Sequence, residues 1–365
     1  MKLSDLPTPC LVLDRVRLQR NIRAMADALA RHGVPLRPHM KTAKSIDVAR
    51  LVLAGQPGGI TVSTLAEAEY FAAHGITDML YAVGITPGKL PRVARLNEAG
   101  AQVMVITDDL DTARVVAAQP VPPRCLIEID TGEARGGVGP EDAALLEIAS
   151  ALGASFAGIM THGGHSYAGR TLADMEAVAE AERAGAVRAA QRLRAAGHAC
   201  GIVSIGSSPT ALHGRSMQDV TEVRAGVYMF GDLFQAEIGT HGLDDIAVTV
   251  LTSVIGRRPG KLLVDAGGMA LSKDRSTESA PKDYGFGLML DIDGSAKHGD
   301  AIVRRAYQEH GQIELDPAHP LDLPVGGLVR IAPNHTCMTA AAHDRYYVVD
   351  GGDEVVAVWP RVNGW

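Results

Sequence analysis

From residue 10 to about 230 one pattern recurs: a short β-branched or apolar run, then a longer Ala/Leu/Arg stretch with helical periodicity. The strand candidates are CLVL (10–13), LRPHM (36–40), GITVS (59–63), DMLYAV (78–83), QVMVI (102–106), RCLIEID (124–130), SFAGIMT (155–161), GIVSIG (201–206) and VTEVR (220–224). Helical stretches such as 15–31, 64–74, 141–152 and 171–196 separate most of them. Strands alternating with helices pair in parallel, because each crossover returns the chain to the same end of the sheet. About eight such units predict an α/β fold, a closed (β/α)8 barrel of the TIM type. An open doubly wound sheet is the rival, and the lack of a Gly-rich dinucleotide turn counts against it.

After about residue 240 the helical spacers disappear. DIAVTVLTSVIG (245–256), KLLVDAG (261–267), GGLVRIAP (326–333), RYYVVD (345–350) and EVVAVWP (354–360) read as strands divided by Gly, Pro and Asp. We therefore expect a barrel over 10–238 and a second, all-β domain over 239–365, which segment 1–14 is able to join.

A net charge of −7 disfavours nucleic acid and acidic membrane surfaces, which require a basic face. No apolar run approaches the roughly 18 residues of a membrane span, and MKLSDLPTPC lacks the apolar core of a secretion signal, so the expected location is cytoplasmic. The scattered Cys10, Cys125, Cys200 and Cys337 fit reduced thiols, three of them inside apolar runs.

Functional groups of such a barrel lie at the carboxyl ends of its strands. Lys41 follows LRPHM, where an amine in the mouth can act as a nucleophile and form a Schiff base; an exposed loop lysine is the plain alternative. Arg135 stands among glycines in TGEARGGVG, and THGGHSY gathers Thr161, His162, His165 and Tyr167. In VSIGSSPTAL, Ser207, Ser208, Thr210 and the N–H groups of Gly206 to Ser208 suit a phosphate, although an ordinary helix cap has the same pattern. Arg224, Gly226, Val227 and Tyr228 follow in a second Gly-centred turn. One rim thus carries a lysine, two arginines, two histidines and an anion cradle. Pyridoxal phosphate requires this set: an amine for its aldehyde, dipoles for its phosphate, an imidazole against the ring, and cations for the phenolate and pyridine nitrogen.

PNHTCMT (333–339) extends the apolar run GGLVRIAP. Read as strand, it places His335 and Cys337 on one face, about 6.5–7 Å apart at Cα, within reach of one ion. Imidazole with a soft thiolate favours zinc, but two ligands do not complete a tetrahedron. From the residues alone, a strand that happens to carry a histidine and a thiol stays open.

The ordered series PTPCLVLD, RPHMKTAKS, GITVSTLAEAEYF, RGGVG, GSSPTAL, EVRAGVYMFGD, DAGGMALSKDRST, QEHG and PNHTC spans essentially the whole chain. It resembles the fold-type III (alanine racemase-like) pyridoxal phosphate enzymes, in particular the D-serine dehydratase and D-threonine aldolase family. AERAGAV (181–187) and NGW (363–365) are similar to its D-threo-3-hydroxyaspartate and D-serine dehydratase branch.

The resemblance implies that Lys41 carries the cofactor, that Arg135 approaches its phenolic oxygen, and that His162 lies near the ring, with Tyr167 in the same cofactor-binding group. It further implies that Gly206, Ser207, Thr210, Gly226, Val227 and Tyr228 surround the phosphate and that Arg224 faces the pyridine nitrogen. His335 and Cys337 would bind zinc, with manganese, cobalt and magnesium as alternatives; aldolases of the family more often show His-x-Asp there. The implied activity is a dehydratase (ammonia-lyase) acting on a β-hydroxy-D-amino acid, D-threo-3-hydroxyaspartate or D-serine, to give a 2-oxo acid and ammonia.

The alternative is a metal-dependent D-threonine aldolase; a racemase or a cofactor-carrying binding protein is a further reading. Lys41 would remove the α-proton while the metal polarises the β-hydroxyl. Glu309 and His310 in QEHG are either a substrate-contacting element or a charged hairpin, and Lys273 and Arg275 in SKDRST are candidates to meet a second carboxylate. The family also implies a homodimer in which the β domain of one subunit covers the barrel mouth of its partner.

Overall fold

The computed structural model describes residues 1–56, 58–319 and 321–365. Its packing forms two compact units, Met25–Gly226 with Val362–Trp365, and Met1–Ala24 with Val227–Arg361. The changeover thus falls at 226/227, whereas the change of sequence character was read at 238/239.

The first strand, β1 (Cys10–Asp14), is buried throughout. Eight strands follow in the first unit: β2 (Leu36–Pro38), β3 (Ile60–Val62), β4 (Asp78–Gly84), β5 (Gln102–Thr107), β6 (Cys125–Ile129), β7 (Phe156–Thr161), β8 (Ile202–Ile205) and β9 (Glu222–Ala225). They form one parallel sheet in the order β2-β9-β8-β7-β6-β5-β4-β3. A bridge between His39 and Thr61, and a bond from the Met40 N–H to the Thr61 carbonyl (2.8 Å), draw its two end strands together. The result is a nearly closed eight-stranded barrel, as the alternation predicts.

Apolar strand residues supply its core, among them Leu80, Met104, Ile106, Leu126 and Met160. Each such side chain contributes on the order of 1.5–3 kcal/mol by leaving water. Where β7 approaches β8, Gly158 has φ +149° and a Cβ there would lie 2.1 Å from the Ile202 carbonyl oxygen, so only glycine fits.

Polar groups also lie inside the barrel unit. Arg37 on β2, 6% exposed, bonds Glu222 of β9 through Nε (2.8 Å) and Asp78 of β4 through both terminal nitrogens (2.9 and 3.2 Å). Glu222 accepts from Ser204 Oγ (2.7 Å), and Ser204 Oγ accepts from Arg224 (2.7 Å), whose other terminal nitrogen donates to the Thr161 carbonyl (2.6 Å). A buried polar chain therefore runs from Asp78 to the end of β7.

The second unit contains β10 (Val248–Arg258), β11 (Lys261–Val264), β12 (Leu288–Leu290), β13 (Ile302–Ala306), β14 (Gly311–Glu314), β15 (Leu328–Ala332), β16 (Arg345–Val349) and β17 (Val355–Pro360). Together with β1 they form a nine-stranded sheet, in the order β11-β14-β13-β12-β15-β10-β1-β16-β17. All its pairings are antiparallel except that of β1 with β16, and an added β10–β11 pairing closes six strands into a ring. The strand CLVL therefore belongs to this sheet: Cys10 faces Leu251 and Val12 faces Tyr347, partners too remote in sequence for local periodicity to reveal.

Candidate active site

Lys41 lies in the turn after β2 and is exposed, and among the described residues it makes no ion pair. The second lysine of KTAK, Lys44, is tied instead to the buried Glu67 (3.2 Å). His39, half-buried, accepts from the Lys41 backbone N–H at 3.5 Å. Burial, with Lys41, Arg224 and His162 as neighbouring cations or imidazole, holds the His39 pKa well below the usual histidine range.

His162 follows β7 and donates its Nδ1–H to the Gly206 carbonyl (2.9 Å). Burial first, and then Lys41, pull its pKa down to about 3, so this ring is neutral with Nε2 unprotonated. A flat, uncharged imidazole is what a cofactor ring can rest against. Arg135 reaches Glu133 (3.4 Å) and Glu128 (3.7 Å) from an exposed position, and it contributes to the field on His162. Arg224 is buried, and its bonds to Ser204 and Thr161 fix its guanidinium. His165 and Tyr167 lie half-buried in the turn Gly164–Ala168, and His165 Nδ1 is buried without a hydrogen-bond partner.

The expected anion cradle takes a more specific form. Ser207 caps the short helix Ser208–His213, and its hydroxyl accepts from the Thr210 N–H (3.2 Å) and bonds Ser166 Oγ (2.9 Å). Two of the three backbone N–H groups assigned to phosphate already have protein acceptors: that of Gly206 bonds Glu182 Oε1 (2.9 Å) and that of Ser207 bonds Thr210 Oγ1 (2.9 Å). The cap therefore exists as such, with the Ser207 and Thr210 hydroxyls 3.1 Å apart within it. At Gly226, which ends the barrel unit, a Cβ would press on the His39 carbonyl at 2.8 Å and on Thr42 Oγ1 at 3.0 Å, so this turn too is kept bare. Val227 and the buried Tyr228 open the other unit in a single turn of 3-10 helix.

An unpaired amine, a neutral imidazole, a fixed guanidinium and a bare hydroxyl-lined turn form a donor set that fits a flat anionic aldehyde such as pyridoxal phosphate.

In the β unit the strand expectation for PNHTCMT is overturned. β15 stops at Ala332, and after Pro333 and Asn334 the chain turns into the helix Thr336–Ala340, with His335 at its N-cap and Cys337 in its first turn. The cause is remote. Buried Asp232 caps its own helix, Leu233–Glu237, through Oδ1 to Gln235 N–H (2.8 Å), and accepts from the Thr336 N–H through Oδ2 (3.1 Å). One carboxylate starts both helices, and burial raises its pKa to about 6, an effect that His335 opposes.

His335 and Cys337 still come together. The imidazole hydrogen-bonds Cys337 and donates Nδ1–H to Asp274 Oδ2 (3.2 Å), so Nε2 is the nitrogen a metal would use. Burial works against a charge on His335, but the bonds to Asp274 and Cys337 outweigh it and raise its pKa to about 11, while Asp274 is drawn down to about 2. The pocket attracts positive charge, and imidazole with thiolate fits a soft divalent cation. Among the described residues no group of three or more His, Cys, Asp or Glu side chains is placed to hold a metal ion.

Asp274 was missed between Lys273 and Arg275, the residues singled out for a second carboxylate. Those two are engaged elsewhere. Lys273 donates to the Ala306 carbonyl, Arg275 bonds Asp283 (2.9 Å), and both cations sit over the Phe286 ring at 5.3 and 5.2 Å. Glu309 and His310 are exposed in the turn between β13 and β14, where the Tyr307 N–H bonds the His310 carbonyl (2.8 Å).

Fold and site define an alanine racemase-like enzyme. The family model for the alanine racemase N-terminal domain matches residues 13–233, and a serine dehydratase domain matches 247–349. The chain is 43% identical to D-threo-3-hydroxyaspartate dehydratase from Delftia sp., with 100% of this chain and 99% of that protein covered. It is 30% identical to D-serine dehydratase from Dictyostelium discoideum (100% and 98% covered) and 32% identical to 3-hydroxy-D-aspartate aldolase from Paracoccus denitrificans (99% and 92%). The solved structure of the Delftia dehydratase superposes with a TM-score of 0.94 at 42% identity over the whole of both chains. A cysteine-to-alanine mutant of D-threo-3-hydroxyaspartate dehydratase in the metal-free form gives 0.95, at 42% identity over the whole of both chains. The chain belongs to the D-serine dehydratase and D-threonine aldolase family of alanine racemase-like enzymes.

Proposed function

We propose that this chain is a pyridoxal phosphate- and zinc-dependent dehydratase that converts a β-hydroxy-D-amino acid to a 2-oxo acid and ammonia, with D-threo-3-hydroxyaspartate as first substrate and D-serine as second. The observation that carries this reading is the imidazole–thiol pair His335/Cys337, backed by Asp274, in a chain 43% identical over its full length to such a dehydratase.

Lys41 would hold the cofactor, Arg135 and His162 would serve its ring, and Ser207, Ser208, Thr210, Gly226, Val227 and Tyr228 would receive its phosphate. Bound pyridoxal phosphate supplies an electron sink for charge developing at Cα, and zinc supplies a Lewis acid for the β-hydroxyl. Lys41, exposed and without an ion pair among the described residues, would be the base for the α-proton. His162 stays neutral and does not compete for that proton. Asp274 would hold the His335 ring through Nδ1, leaving Nε2 for zinc, and the Cys337 thiolate would offset the metal's charge. Water leaves across Cα–Cβ, and the resulting imine takes up water and releases ammonia, so the net products are a 2-oxo acid and ammonia.

The barrel unit is the cofactor-binding domain in this reading and the β unit the metal-carrying one. The assembly is a homodimer, as the family resemblance suggests. Four cysteines without a disulfide fit a reducing compartment such as the cytoplasm, and no helix among the described residues is long and apolar enough to cross a membrane.

Purified protein incubated with each substrate should release ammonia and a 2-oxo acid, and EDTA should abolish both. Glycine with an aldehyde would instead establish the aldolase reading, which the 32% identity to the Paracoccus aldolase supports. Neither product pair in the presence of cofactor and zinc would refute the assignment.

A further inference from the structure

Glu182 lies within the helix Leu172–Ala195 and is completely buried. Among the described residues no cationic side chain pairs with it within 4.0 Å, so backbone and hydroxyl donors are what hold it. Its Oε1 accepts the Gly206 N–H (2.9 Å), and the Gly163 N–H and Thr210 hydroxyl lie against the same carboxylate. Oε2 is buried without a full hydrogen bond, and a Cβ at Gly163 would stand 2.8 Å from it.

These contacts bind three stretches at the carboxyl ends of β7 and β8. Gly163 directly follows His162. Gly206 has its N–H held by Glu182 and its carbonyl held by His162 Nδ1 (2.9 Å). Its φ of +133° admits glycine only, with a Cβ falling 2.3 Å from the Arg224 carbonyl oxygen. Thr210 shares its hydroxyl with the Ser207 N–H (2.9 Å). A carboxylate buried at this cost is retained where its acceptor capacity fixes several donors at once.

We infer that Glu182 is a positioning residue of the cofactor site: by holding Gly206 from behind, it sets the tautomer and orientation of His162 and the shape of the Ser207–Thr210 turn. This rests on the cofactor reading proposed above. The link from Glu182 to His162 is nevertheless observable without cofactor.

The test uses Glu182→Gln and, independently, Gly163→Ala, whose added methyl would displace the carboxylate without removing it. Glu182→Gln removes the charge and replaces one acceptor oxygen with an NH2 that cannot accept. Long-range 1H–15N correlations of the full-length apoprotein should show His162 leaving the Nδ1–H tautomer in both variants. Fluorescence titration should show pyridoxal phosphate affinity falling about 10- to 100-fold, the loss expected for a deleted buried charged hydrogen bond. Wild-type tautomer and affinity in a folded Glu182→Gln would overturn the inference. Should Glu182→Gln fail to fold, Gly163→Ala decides by the same two readouts. A wild-type protein that does not bind the cofactor, yet whose His162 tautomer responds to Glu182, would sink the cofactor reading and leave the positioning link standing.

Discussion

Glu222→Leu offers a direct measure of the buried polar chain in the barrel. The Glu222 side chain is 12% exposed and that of Arg37 is 7% exposed, so their 2.8 Å pair is largely out of water. Deleting one member of a buried pair typically costs about 3–5 kcal/mol, because the other charge stays behind. Arg37 keeps Asp78, but that side chain is 45% exposed, and a pair of this kind is worth at most about 1 kcal/mol after screening. The loss should therefore sit near the lower end, about 3 kcal/mol. At roughly 2–4 °C per kcal/mol for a unit of this size, the midpoint falls by about 6–12 °C. Urea denaturation followed by far-ultraviolet circular dichroism reads the loss directly.

The double variant Arg37→Met/Glu222→Leu removes the stranded cation and should regain about 2 kcal/mol over the single. A single variant within about 1 kcal/mol of wild type, or a double variant no better than the single, would refute the view of Glu222 as the buried counter-charge. Glu222 also accepts the Ser204 proton, which directs the Ser204 lone pair at Arg224, so the same substitution loosens that guanidinium.

Other substitutions separate the two halves of the proposed site. Lys41→Ala should lose the visible absorption of bound cofactor and about 10²–10⁴-fold in turnover, read by spectrophotometry and ammonia release. Cys337→Ala should keep that absorption, lose stoichiometric zinc and stop releasing ammonia; full metal-dependent turnover would refute the ligand assignment. Asp274→Ala should weaken zinc binding by about 10- to 100-fold in chelator competition, since it frees the His335 ring. His162→Asn should flatten the acid side of the stability profile. Its folded pKa of about 3 lies below the ordinary value of 6.5, so the unfolded chain binds the extra proton and stability falls as pH drops from about 6.5 toward 3. Urea midpoints at pH 7 and pH 4.5 check this, and an unchanged slope would show that His162 is not the group responsible.

The barrel was legible because apolar strand and amphipathic helix alternate locally, and the candidate site residues of the barrel because they follow strand ends. What escaped depends on groups far apart in sequence. PNHTC looks like the end of a strand until Asp232, more than a hundred positions earlier, supplies the acceptor for Thr336 N–H that starts a helix. Asp274 lies between two cations that drew attention to themselves, and only the fold shows it turned toward His335. Glu182 reads as one more acid on a charged helix, since nothing in AERAGAV tells which helical face is buried. The β1 strand kept its length and burial but not its sheet, because pairing, unlike periodicity, is a non-local property.

That strand also orders events in time. Residues 10–14 are made before the barrel stretch, yet their partners at 248–251 and 347–349 come after it. The barrel, drawn almost wholly from the contiguous stretch Met25–Gly226, can assemble while β1 still waits with both edges unpaired. A chain made only as far as the barrel would therefore carry β1 as an unpaired apolar strand. An early stop or a pause before residue 248 would leave a folded barrel carrying an adhesive segment.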